Sequence, residues 1–127
     1  MPMQFRAFAL AALLGLSTPI LVVQPLQRPV LAQTMPQGVF QDDIWVVSLD
    51  FINNAMTYYG ENKRTGASIY LSGASVGGTT QRRIYTWNNA GTRYQITWQP
   101  SDPSFVRVQV FQPNGREILN RLLRRSS

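Results

Sequence analysis

Ser75 lies in Gly73-Ala74-Ser75-Val76-Gly77, which matches G-x-S-x-G, the turn that presents a serine nucleophile in many hydrolases. That turn needs a strand before it, a helix after it and a histidine base. Here Gly78-Thr79-Thr80 follow, and the chain contains no histidine. A serine–lysine pair with Lys63 fits no dyad spacing, so Ser75 reads as a loop residue between two hairpins. Asp42 and Asp43 are the other candidates, because glycoside hydrolysis uses two carboxyl groups flanking one bond. Neighbours on a strand point to opposite faces, so this pair is expected to solvate or cap a turn. Cysteine is absent as well. Without cysteine or histidine, structural zinc, haem ligation, cysteine–histidine and serine–histidine–aspartate catalysis and most transition-metal sites are excluded. No catalytic residue, metal or cofactor is expected.

Rings and arginines remain. On 82–88, Arg83, Tyr85 and Trp87 share one face of a strand. On 92–99, Tyr94, Ile96 and Trp98 share a face, with Arg93, Gln95 and Thr97 opposite. A hairpin joining the two segments brings Tyr85, Trp87, Tyr94 and Trp98 together. Either these rings fill the core, where a short chain needs bulk, or they form an exposed platform with arginines. As a binding surface it would comprise Tyr85, Trp87, Tyr94 and Trp98 with Arg83, Arg93 and Arg107. The rings would stack on sugars or a partner protein, and the arginines would meet acidic groups.

From residue 33 onward, Lys63 and nine arginines face six carboxylates, a net charge of +4. An acidic polysaccharide, an anionic membrane surface or an acidic protein would suit that charge, and so would simple solubility. Nucleic acid is excluded as a partner by the export signal that opens the chain. Arg6 precedes an apolar run over 7–16 that continues through Ile20-Leu21-Val22-Val23, and Val30-Leu31-Ala32 forms a cleavage site before Gln33. Residues 1–32 are therefore expected to be a cleaved signal peptide, which places the protein in the periplasm or outside the cell.

The elements that must position these side chains are strands. Residues 33–41 read as a flexible lead-in, and 42–127 as a single β domain. Strands are expected at 44–51, 56–61, 68–71, 82–88, 92–99 and 105–111. Turns fall at Asn53-Asn54, 62–66, Asn89-Ala90-Gly91 and Pro113-Asn114-Gly115, and 72–80 reads as a long loop. Segment 117–123 fits either a helix or a returning strand, with the strand preferred after Asn114-Gly115 and the last arginines forming a basic tail. The expected fold is all-β, a small antiparallel barrel or sandwich of six to seven strands built from hairpins.

Within 58–71, Tyr58, Gly60, Asn62, Thr65, Gly66, Ser68, Ile69 and Leu71 form a Y-x-G-x-N-x-x-T-G-x-S-I-x-L pattern. Behind a leader ending in Leu31-Ala32-Gln33, this hairpin resembles small exported cyanobacterial proteins of unassigned function. A fainter resemblance, to the barrel of periplasmic lysozyme inhibitors, lacks their disulfide. Neither resemblance carries over an active residue. The sequence thus points to an exported, non-enzymatic β domain that binds a ligand or partner in the periplasm or envelope. The alternatives are a carboxylate-dependent hydrolase of envelope polymer and a purely structural accessory subunit.

Overall fold

In the computed structural model, which describes residues 35–126, every element is a strand. They are β1 (Gly38–Gln41), β2 (Trp45–Ile52), β3 (Ala55–Asn62), β4 (Ser68–Ser72), β5 (Ser75–Gly78), β6 (Arg83–Asn89), β7 (Thr92–Trp98), β8 (Phe105–Phe111) and β9 (Glu117–Arg125). All pair antiparallel in one sheet of order β4-β3-β2-β1-β9-β8-β7-β6-β5, which curls into a half-barrel. Among the described residues no helix is long and apolar enough to cross a membrane. The expected leader, residues 1–32, lies outside the described residues, as do Gln33 and Thr34.

Alternation decides which face is buried. Val106, Val108 and Val110 of β8 point inward and are buried, whereas Arg107 and Gln109 point outward. The same period on β2, β3, β6 and β7 brings Val47, Leu49, Tyr58, Tyr85, Trp87, Ile96 and Trp98 into one core with Phe40 and Leu123. Because the sheet curls, its two ends face each other across that core. Tyr58 of β3 meets Trp87 of β6 with ring centroids 5.3 Å apart. The indole N–H of Trp87 donates to the Met56 carbonyl at 3.0 Å, and the Gly73 N–H donates to the same oxygen at 3.0 Å. The short link from β4 to β5 is thereby tied to β3.

Nine strands replace the six or seven expected. One addition is β5, within the stretch read as a long loop. Its Gly/Ser composition carries no periodic signal, and β6 supplies the pairing that makes it a strand. The other is β1, within the stretch read as a flexible lead-in. Gly38 to Gln41 pair with β2 on one side, and Phe40 and Gln41 pair with β9 on the other. Phe40 is fully buried, and Pro36 before the strand is buried too. Segment 117–123 is a strand, as preferred, but it runs on to Arg125 and does not end in a trailing tail. The Arg125 guanidinium lies 4.6 Å from the Phe40 ring centroid and donates to the carbonyls of Pro103, at 3.2 Å, and Gln37. A cation over an aromatic ring with two carbonyl partners is an anchor for β1.

Candidate functional site

At one end of the half-barrel the inner face leaves an open cavity of about 380 Å³. Its walls are mostly apolar, from Trp45, Ile69, Val110 and Leu119, with Asn62 and Ser68 also lining it and Tyr58 and Tyr94 facing it from opposite strands. The local sequence explains the Tyr58 position. Gly60 lies two residues on, on the same face of β3, and a Cβ there would come within 2.8 Å of the Tyr58 ring. Glycine therefore lets the ring lie along the strand and reach the cavity. The Tyr58 and Tyr94 ring centroids are 5.7 Å apart. Burial, then the neighbouring Tyr94, push the Tyr58 phenol well above the ordinary tyrosine range, so its proton stays on as a hydrogen-bond donor. The Tyr59 and Tyr85 hydroxyls are engaged by Glu61 and Arg83.

The residues singled out in the sequence are scattered. Tyr85, Trp87 and Trp98 lie in the core, at 3%, 1% and 1% exposure, and are closed to a ligand. The Trp98 indole N–H is also used, donating to the Pro103 carbonyl at 3.2 Å. Of the four rings, Tyr94 alone reaches the cavity. Arg83 points inward at the opposite end, where its Nε donates to the Tyr85 hydroxyl at 3.1 Å. Arg93 and Arg107 are on the outer face. Arg93 stands 5.0 Å from the Phe111 ring centroid, and Arg107 Nη1 donates to Asn120 Oδ1 at 2.7 Å. Arg93 pairs across from Phe111 and Arg107 from Thr97. Four residues of strand separate them, roughly 13 Å at the usual rise. The three arginines do not form one cluster.

Asp42 and Asp43 do converge, against the expectation that they would point apart. They sit in the β1–β2 turn and not in a strand, and both reach Arg121: Nε to Asp42 at 2.7 Å and Nη2 to Asp43 at 3.2 Å. Burial works against the Asp42 charge. The Trp45 and Ile44 amides and Arg121 outweigh it and hold the carboxyl below its ordinary range. The pair is occupied by an arginine and does not flank a cleft. Among the described residues no group of three histidine, cysteine or carboxylate side chains could hold a metal.

Sequence reasoning placed Tyr58 in a structural hairpin and assigned Trp45 and Leu119 to no site. The Tyr58-x-Gly60 spacing was the available signal, since an aromatic ring two residues from a glycine on one face leaves room beside itself. The chain matches no protein-family model, no curated protein and no solved structure.

Proposed function

We propose that this chain is an exported, non-enzymatic binding domain whose ligand enters the mouth of the curled sheet between Tyr58 and Tyr94. The observation that carries this reading is the cavity of about 380 Å³, with mostly apolar walls and the Tyr58 and Tyr94 rings facing it from opposite strands. That volume and lining are typical of small-molecule clefts, which place a few polar groups in an apolar wall and often occupy the mouths of β-barrels. The matching ligand has an apolar body and an acceptor for the Tyr58 proton. Export rests on the leader read in residues 1–32. The hydrolase alternative loses support from Asp42 and Asp43, which are held by Arg121.

The dye 1-anilinonaphthalene-8-sulfonate combines an apolar body with acceptor oxygens and brightens in apolar surroundings. It should brighten in the folded protein and quench Trp45, which lines the cavity. Ala67 is exposed and also lines the cavity, so Ala67→Trp should fill the mouth without disturbing the core. Loss of dye binding in that variant, with unchanged thermal stability, is the expected result. Equal brightening in the variant would remove the mouth as the binding site.

A further inference from the structure

Exposed apolar side chains gather at the end of the sheet opposite the mouth. Phe51 of β2 and Val76 of β5 line an open hollow of about 250 Å³ there, with the buried Met56 and Tyr85 behind them. Ile52 follows Phe51 at the β2–β3 turn. Phe51, Ile52 and Val76 are 42%, 45% and 55% exposed. Alternation would bury Phe51, which follows Val47 and Leu49 on the inner face of β2, and Val76, which lies across from the buried Tyr85. Topology leaves both uncovered. β4 pairs with β3 only as far as Thr57 and Ser72, and β5 pairs with β6, so the seam between β3 and β5 stays open at this end. Apolar side chains gathered at an open rim mark a surface that another apolar phase covers.

We infer that this end of the domain docks on a membrane surface bearing anionic phospholipid. Charge is the first argument. By strand direction, the same end holds Arg82 and Arg83 at the start of β6 and Arg124 and Arg125 at the end of β9, against Asp50 and Asp102. Four positive charges minus two negative leave an excess of two. None of the four arginines pairs with a carboxylate among the described residues. The second argument is where the chain enters. Met35 lines the hollow, and only residues 24–34 separate it from the apolar segment that ends at Val23. Fully extended, that connection spans at most about 40 Å, so a bilayer that receives the apolar segment has this end of the domain beside it. Apolar side chains flanked by guanidinium groups suit the headgroup region, the former entering it and the latter meeting phosphate. The rim lies away from Tyr58 and Tyr94, so this docking is independent of the ligand proposed for the mouth.

The absence of cysteine lets one introduced thiol carry a nitrobenzoxadiazole label. In the full chain reconstituted with vesicles, a label on Val76→Cys reports the rim, and one on Tyr70→Cys reports an exposed position on the outer face of β4. Spin-labelled phospholipid should quench the Val76→Cys label on vesicles containing phosphatidylglycerol and much less on pure phosphatidylcholine. The Tyr70→Cys label should stay bright on both. Arg82→Gln, added to the Val76→Cys chain, should weaken docking about fivefold, and raised salt should act in the same direction. Ile52→Ser should also reduce the quenching, with Tm unchanged in both variants. Ala67→Trp should leave it unaffected, so the mouth and the rim stand or fall separately. The inference is overturned by an unquenched Val76→Cys label, by equal quenching at position 70, by quenching indifferent to phosphatidylglycerol, or by Ile52→Ser and Arg82→Gln changing nothing. Shielding of the Val76→Cys label without vesicles, growing with protein concentration, would give the rim to a second copy of the chain and overturn it too.

Discussion

Asp42 accepts the amides of Ile44 and Trp45 at 2.8 and 2.7 Å on one oxygen, while Arg121 holds the other. These partners favour the charged carboxyl, so folding lowers its pKa below the ordinary 3.8. A group whose pKa is lowered by folding contributes stability above its unfolded value and loses it as pH falls through the folded value. Asp42→Asn should therefore destabilise the protein at neutral pH by about 1–2 kcal/mol, since hydrogen bonds to charged groups are among the stronger ones. The gap to the parent protein should narrow as pH drops below 3.8, and urea denaturation at several pH values measures it. A pH-independent gap would mean that the charge itself contributes nothing. At this scale the capping role was legible in the sequence, but Arg121 was not. It lies 79 positions from Asp42 and meets it only because β9 runs beside β1.

Hairpins carry most of the element-scale information. Asn53 and Asn54 close the β2–β3 turn with φ of 52° and 64°, left-handed values that asparagine tolerates. The β6–β7 turn was expected to be a three-residue loop and has two central residues, Ala90 and Gly91, with φ of 53° and 90°. Asn89 pairs with Thr92 across it, so both residues between them must be left-handed. Alanine has no side-chain compensation for that geometry, which costs roughly 1–2 kcal/mol per residue. Ala90→Asn or Ala90→Gly should thus raise stability by about 0.5–1 kcal/mol, seen as a Tm higher by a few degrees. Unchanged or lower Tm in both variants would contradict the two-residue turn.

Over the whole molecule, the sheet depends on β1. Without it, β2 and β9 have no common neighbour, and the two halves β4-β3-β2 and β9-β8-β7-β6-β5 lose their only ladder connection among the described residues. Phe40 fills the core beneath that junction. Phe40→Ala should cost about 3–5 kcal/mol, the usual range for a buried aromatic truncated to alanine. A chain begun at Met35 should unfold cooperatively in urea, while one begun at Asp42 should not. Cooperative unfolding of the shorter chain would restore the view of 33–41 as a dispensable lead-in.

The sequence by itself determined the all-β class, the positions of six strands to within a residue or two, and most of the turns between them, and it left 117–123 between helix and strand with the strand preferred. Those features follow from period-two alternation and from turn residues with special backbone freedom, both local properties. Alternation also placed Arg83, Tyr85 and Trp87 on one face of their strand and Tyr94, Ile96 and Trp98 on one face of theirs. The register that joins the two faces is set by the two-residue turn of the structure. Whether that face was core or surface was decided by the curl of the sheet, which laid β3 over β6 and sealed Trp87 beneath Met56 and Tyr58. Strands β1 and β5 were decided the same way, since short segments with weak propensity become strands when long-range neighbours offer them hydrogen bonds. The mouth between Tyr58 and Tyr94 joins residues far apart in the chain. Only the closing of the sheet brings them together.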